Sequence, residues 1–312
     1  MKKIAITGIS GYIGTRLLPR LNSLDEVEKI VGIDTRQPEY SSPKLKFYCQ
    51  DISEPLGDIF VENEVDSAIH LAFILKPTHD LAGARQTDVG GMSNFLEACQ
   101  KTKVKHILYL SSHTVYGAHP DNAMPLKEDS PLRPLSGFQY SRDKAEAERI
   151  LRNFDASNKD VIVTILRSCP VIGSNAARSV AALMFKPPVM IGVAGYDPPM
   201  QFVHEDDLIE LMTLLLEYKK AGIFNVAGDG ELRYSEIARI YGRRMLSLPE
   251  KLLGLLMGFS WAFRFQSDSP TSGLEFIKYP PIISTDKLKK ETGFRFRYSS
   301  KDALLSFLSA IR

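Results

Sequence analysis

The sequence predicts an α/β fold, a doubly wound parallel sheet with a smaller, partly interleaved C-terminal lobe, and three observations carry that prediction. Short, continuously apolar runs alternate with amphipathic helical stretches from residue 3 to about 167. A turn with glycines at 8, 11 and 14 joins the first run to the first helix. Past Arg167 the alternation stops.

Each element follows from its residues. "KIAIT" (3–7), "KIVGID" (29–34), "KFYCQD" (46–51), "SAIHLA" (67–72), "HILYLSS" (106–112) and "VIVTILR" (161–167) are rich in β-branched and aromatic residues. They are too continuously apolar for strands with one wet face, so they read as strands covered on both sides. Between them, Ile13, Leu17, Leu18, Leu21 and Leu24 make one helical stripe, and Ala147, Ile150, Leu151 and Phe154 another. Strand–helix alternation of this kind implies parallel strands with helices on both faces. Later, proline and glycine cluster at 187–199, and a seventh strand candidate, "GIFNVA", falls at 222–227. Residues 200–228 are expected to return to the first domain (1–167). The remainder of 168–312 is then mainly a second lobe capping the carboxyl ends of the strands, where substrate would bind.

Composition narrows the class. The 312 residues are 44% hydrophobic, enough for a large core. A net charge of +2 gives no electrostatic reason to expect nucleic acid or an anionic membrane as partner. Cys49, Cys99 and Cys169 lie far apart with no histidine cluster, which argues against a disulfide framework and a zinc site and fits a reducing cytosol. The strand pattern begins within three residues, leaving no room for a signal peptide, so a soluble cytoplasmic protein is expected. The longest apolar run, "LLGLLMGFSWAF" (252–263), is too short to span a bilayer. It reads as a buried helix. A second reading makes it an apolar lid suited to a lipid-like, aromatic or alicyclic ketone.

A strand, a glycine turn and an amphipathic helix in succession are the context of a dinucleotide-binding turn, which makes the sheet Rossmann-type. Glycines permit close approach, and the helix N-terminus faces a pyrophosphate. The spacing is GxxGxxG rather than GxGxxG, and a purely structural turn is the competing reading. Asp34 ends the second strand 20 residues beyond Gly14, where a carboxylate binds a ribose 2′-hydroxyl and repels a 2′-phosphate. Arg36, two residues on, could accommodate a phosphate instead; the balance favours NAD over NADP.

Tyr140 and Lys144, spaced i, i+4, share one helix face. Tyr40 and Lys44 have the same spacing, but Pro43 between them breaks a helix. Ser111 and Ser112 end the fifth strand at the carboxyl edge, where α/β sheets bind ligands. A tyrosine ionises near pH ~10 and is a poor base at neutrality. A lysine ammonium and a positive nicotinamide ring favour the phenolate. Tyr140 is therefore the expected acid/base, Ser112 the anchor of the substrate oxygen and Lys144 the tuner, for hydride transfer at a secondary alcohol or ketone carbon. His204 with Glu205, Asp206 and Asp207 admits a metal site, but the helical pattern that follows favours Asp206 or Asp207 as an N-cap. His70, in an apolar strand, reads as a satisfied core histidine. His113, beside Ser112, is a candidate substrate contact.

These residues resemble the extended short-chain dehydrogenase/reductase family, also called the NAD-dependent epimerase/dehydratase family. "TGISGYIG" is similar to its TGxxGxxG turn, "SAIHLA" to its HLAA strand, "SSHTVYG" to its SSxxVYG segment, "YSRDK" to its YxxxK and "FVHEDDL" to its FVHVDDL. The resemblance implies Ser112, Tyr140 and Lys144 as the catalytic set, with Lys144 also on the nicotinamide ribose. It implies cofactor contacts at Gly8, Gly11, Tyr12, Ile13, Gly14, Leu71 and Ala72, beside Asp34 and Arg36. "CQDIS" resembles its Asp-aliphatic pair, which puts Asp51 and Ile52 at the adenine. Four departures bear on substrate and cofactor. Pro170 stands where nucleotide-sugar members have an asparagine, and Met200 where they have a diphosphate-clamping arginine. Both losses argue for a non-nucleotide substrate. His113 and Thr114 replace the Asp-Glu of 4,6-dehydratases, and Asp88 replaces a cofactor-side asparagine. A homodimer through helices 88–101 and 139–154 is a further implication, since both carry apolar positions beyond one stripe. The resulting expectation is an NAD-dependent oxidoreductase. A nucleotide-sugar 4-epimerase using the same triad is the alternative, and a non-catalytic dinucleotide-binding sensor or scaffold the reading from another class.

Overall fold

A computed structural model describes residues 2–176, 189–266 and 269–311 of the chain. Its centre is a seven-stranded parallel sheet: β1 (Lys2–Thr7), β2 (Val27–Asp34), β3 (Leu45–Cys49), β4 (Ser67–His70), β5 (His106–Ser112), β6 (Ile162–Ser168) and β7 (Gly222–Val226), in the order β7-β6-β5-β4-β1-β2-β3. All seven strands expected from apolar runs are present. Their lack of alternation has its reason in the burial. Ile4 and Ile6 pack with Leu17, Leu18 and Leu21 on one face, while Ala5 packs with Phe60, Phe95 and Leu96 on the other.

Helices α1 (Tyr12–Asn22), α2 (Gly57–Glu62), α3 (Leu81–Arg85), α4 (Gly91–Thr102), α5 (Gln139–Ser157) and α6 (Glu205–Tyr218) cover the sheet. A π-helical turn, Gln86–Gly90, precedes α4 and places Asp88 in the interior. Strand β7 pairs with β6 in parallel, from Gly222↔Thr164 to Val226↔Ser168, so the chain does return to the sheet after leaving it.

The rest of the second half is built from short strand pairs and the helices α7 (Tyr234–Tyr241), α8 (Glu250–Ala262), α9 (Leu274–Lys278), α10 (Asp286–Thr292) and α11 (Ser300–Ile311). Val171–Ile172 pairs with Val203–His204, Pro199–Met200 with Leu232–Arg233, and Met190–Val193 with Met245–Leu248. A separate core of Ile172, Phe202, Ile237, Leu304 and Phe307 holds this region together. Positions 187 and 188 of the expected Pro/Gly cluster lie outside the described residues.

One expectation about surfaces is corrected. The 252–263 run is helical, but Leu253 is its only fully buried side chain; Leu255, Leu256, Phe259 and Phe263 are exposed. On α4 and α5 none of the markedly exposed large hydrophobic residues is found among the described residues, and the apolar Ile150 and Phe154 of α5 are partly exposed.

Candidate functional site

The sheet reverses direction of winding at β1, which lies between β2 and β4. A crevice at the carboxyl ends of the strands is the standard consequence. The glycine turn stands at that point. Gly8 has φ +74°, and a Cβ there would lie 2.5 Å from Ala72 N. A Cβ on Gly14 would lie 2.4 Å from Ile9 O. Two of the three glycines are thus demanded by the protein's own backbone, Gly8 by Leu71–Ala72 at the end of β4 and Gly14 by the turn under α1. Gly11 differs, since its added Cβ would meet Gly8 O alone, at 3.1 Å.

Gly11 is also the N-cap of α1. No side chain caps that helix, and no acidic residue occupies its first turn. Its Tyr12–Gly14 end therefore presents partial positive charge to the open side of the turn, which suits a pyrophosphate. Asp34 closes the other flank: its carboxylate accepts from Ser10 N at 3.0 Å and Arg36 N at 3.1 Å, with the Arg36 side chain exposed. Asp51 accepts from Ser53 N at 2.8 Å, and Ile52 is buried against Gly91. Tyr12 sends its hydroxyl away from the turn to Glu205, and Ile13 packs against the sheet core. These residues fit a dinucleotide.

Ser112, Tyr140 and Lys144 come together from the end of β5 and the first turns of α5. Ser112 Oγ accepts from Thr114 N (3.2 Å) and Thr114 Oγ1 (3.0 Å), which leaves its own proton free to donate. Tyr140 packs edge-on against Phe73 and Phe138, with centroids 5.7 and 6.3 Å away. Lys144 is buried; its Nζ donates to Leu110 O at 2.7 Å and lies 3.8 Å from the centre of the Phe73 ring. Burial lowers Lys144 to about 7, against the pull of Asp88 and Glu148. Burial raises Asp88 to about 7, against the Ile74 N–H that it accepts and the charge of Lys144.

Burial pushes Tyr140 up to about 12, the Ser112 hydroxyl draws it down, and Asp88 raises it further.

His113 is buried with Nδ1 unpartnered among the described residues, and burial lowers it to about 4, so it is neutral at pH 7. His70 is a core histidine bonded to Thr7 Oγ1 at 2.8 Å through one nitrogen, the other being unpartnered among the described residues. Pro170 lies at the β6 end of the second lobe, its carbonyl accepting from Val203 N. Met200 is buried in the second-lobe core with Phe202 and Leu232. The α6 cap is also corrected: His204, not an aspartate, caps the helix, with Nδ1 accepting from Asp206 N at 3.2 Å. Arg16 draws off the Asp206 carboxylate, and the backbone N–H groups of Arg297 and Tyr298 hold Asp207. No cluster of three metal-ligating side chains occurs among the described residues.

Sequence reasoning overlooked a buried network behind the triad. Arg167 and Glu148 form an ion pair with almost no solvent access. Glu148 also accepts from Ser111 Oγ (3.1 Å), and Arg167 donates to Tyr116 Oη (2.8 Å). Tyr116 in turn donates to Asn225 Oδ1 on β7 at 2.7 Å. Its signal was present: Glu148 continues the i, i+4 spacing of Tyr140 and Lys144.

The model of the NAD dependent epimerase/dehydratase family matches residues 4–227. The chain belongs to that family. Family members are NAD-dependent enzymes, which agrees with the cofactor read from Asp34. An uncharacterized protein of Mycobacterium tuberculosis is 24% identical over 310 residues, covering 97% of this chain and 82% of that protein. The UDP-glucose 4-epimerase of Bacillus subtilis is 31% identical over 179 residues, covering 53% of this chain and 51% of that protein. Among solved structures, the UDP-glucose 4-epimerase of Thermotoga maritima with UDP-glucose matches at a TM-score of 0.78 and 20% identity, covering 99% of this chain and 98% of that one. The UDP-glucuronic acid 4-epimerase of Bacillus cereus with NAD matches at 0.74 and 20%, covering 99% and 98%. At such identities these structures establish the fold of the epimerase/dehydratase family for this chain.

Proposed function

We propose that this family member is an oxidoreductase that transfers hydride reversibly at a secondary alcohol or ketone carbon of a non-nucleotide substrate, through Ser112, Tyr140 and Lys144. The observation that carries the reading is the convergence of a donor-ready Ser112 hydroxyl, a phenol and a buried amine at the carboxyl edge of the sheet. Ser112 donates to the substrate oxygen. Tyr140 takes the hydroxyl proton in oxidation and returns it in reduction. Lys144, fixed by Leu110 O, binds the nicotinamide ribose. NAD, when bound on the Gly11 turn beside Asp34, supplies the hydride acceptor and a positive ring. That ring and the Lys144 ammonium together favour the phenolate.

The 1–167 region with β7 serves as the NAD-binding unit, and the rest of 168–312 as the substrate lobe. The cavity beside Tyr140 has apolar walls in Ile74, Pro77, Leu81, Phe138 and Trp261 and polar ones in Lys76, Thr78, His79, Asp88 and Gln139, so it suits a substrate with both an apolar body and polar groups. Pro170 and the inward-packed Met200 support a non-nucleotide substrate.

The second reading, a nucleotide-sugar 4-epimerase, is favoured by the likeness to the Bacillus subtilis enzyme. Absorbance at 340 nm separates the two. Net oxidation consumes NAD mole for mole with substrate, whereas epimerisation leaves the absorbance unchanged. If UDP-sugars are interconverted with no net reduction of NAD, the second reading replaces the first.

A further inference from the structure

We infer that α8 is a docking face for an anionic membrane surface. The helix packs inward through Leu253, Gly254, Met257, Gly258 and Trp261, and Gly258 lets it lie close against Thr271, whose Oγ1 would be 3.2 Å from a Cβ there. Its bulk is therefore turned outward. Leu252, Leu255, Leu256, Phe259 and Phe263 recur at helical spacing along the solvent side, Leu255 at 72% exposure, and Phe265 follows at 74%. Phe259, Phe263 and Phe265 touch mainly one another, with centroids 4.4 to 6.2 Å apart. Met245, Leu246 and Ile191, on the strand pair Met190–Val193 and Met245–Leu248, are exposed as well.

Charge selects the occupant. Residues 243–265 contain Arg243, Arg244, Lys251 and Arg264 against one acid, Glu250, whose carboxylate is held by Lys278 at 2.8 Å. This stretch carries more net positive charge than the +2 of the whole chain. Leucine and phenylalanine between basic residues is the pattern of a helix lying in a bilayer interface, the apolar side chains entering and the cations meeting anionic headgroups. A second copy is the poorer occupant, because this face pressed against itself offers its cations no free acidic partner, the one acid of the stretch being held by Lys278. No helix among the described residues is long and apolar enough to cross a membrane, so attachment is to one leaflet.

The same helix reaches the cavity. Trp261 stacks on His79 at 4.2 Å, and both line the wall beside Tyr140. A docked α8 therefore makes the helix that meets the bilayer also supply one wall of the cavity, through Trp261, which suits an apolar alcohol or ketone drawn from the membrane. This consequence for substrate rests on the function proposed above; the docking does not.

The test is co-sedimentation with vesicles of phosphatidylcholine alone or mixed with phosphatidylglycerol. It compares the protein with Phe259→Ser/Phe263→Ser, Lys251→Glu/Arg264→Glu and, as control, Leu305→Ser on α11. The protein is expected to pellet with the anionic vesicles and to be released by salt. Both α8 variants should lose about tenfold or more in affinity, since burial and charge contribute together, while Leu305→Ser binds normally. Calorimetric NAD binding shows that each variant is folded. Failure to bind vesicles overturns the inference, as does normal binding by either α8 variant. A dimer in sedimentation that Phe259→Ser/Phe263→Ser makes monomeric overturns it in favour of a second copy. Loss of turnover in Tyr140→Phe with vesicle binding intact reports on catalysis alone.

Discussion

Tyr140, Lys144 and Asp88 share an interior in which charge is costly, and their protonation is set by one another as much as by solvent. Replacing Tyr140 with phenylalanine should lower turnover by about 10²–10⁴-fold, the usual contribution of a positioned acid/base group. Calorimetric NAD binding should be unchanged. Asp88 gives a pH test. Raised to about 7, it favours the protonated form below that pH and imposes its cost as pH rises through it; Lys144, lowered to about 7, imposes its cost as pH falls. The Asp88 carboxylate raises both Lys144 and Tyr140, so in Asp88→Asn both pKa values drop. The pH profile of kcat should then move as a whole to lower pH; an unmoved profile removes Asp88 from the site's electrostatics. The identities of these groups were legible in the sequence. Their titration was not, because burial depends on what the rest of the chain places around them.

At the scale of elements, the glycine turn and α5 each do two things. Gly8→Ala drives a Cβ into the Ala72 backbone at a positive φ, so it should lower the unfolding midpoint as well as NAD affinity. Gly11→Ala meets only Gly8 O, at 3.1 Å, and should reduce NAD affinity in calorimetry with a much smaller change in stability. On α5, the face that presents Tyr140 and Lys144 continues to Glu148, which clamps Arg167 on β6. Glu148→Gln leaves a buried guanidinium without its counter-charge and should cost about 3–5 kcal/mol in urea unfolding. The spacing of Tyr140, Lys144 and Glu148 was readable in one dimension. The pairing with Arg167 was not, since it depends on how closely α5 lies against β6. The α6 cap shows the same limit: three acids follow His204, but Arg16 and the Arg297–Tyr298 backbone engage the two aspartates, and the imidazole caps the helix.

For the molecule as a whole, β7 and α6 return to the sheet after the second lobe has begun, so the two parts share one core: Leu211, Met212 and Leu215 pack with Leu17, Leu18 and Ile4. A fragment ending at residue 167 would expose the edge of β6 and that apolar face. It should lack the near-ultraviolet circular dichroism of the intact chain. We propose a homodimer over α4 and α5, and sedimentation at micromolar concentration should show whether two copies associate. Sequence alone determined the strand–helix order, the glycine turn, the Asp34 flank and the Tyr140–Lys144 face, because those rest on local periodicity and on backbone freedom at single residues. Only the tertiary structure decided which apolar residues are buried. The inward glycines of α8 turn its leucines and phenylalanines to solvent, while Met200 is drawn into the core, and no one-dimensional pattern distinguishes the two, since burial belongs to the partner surface as much as to the side chain.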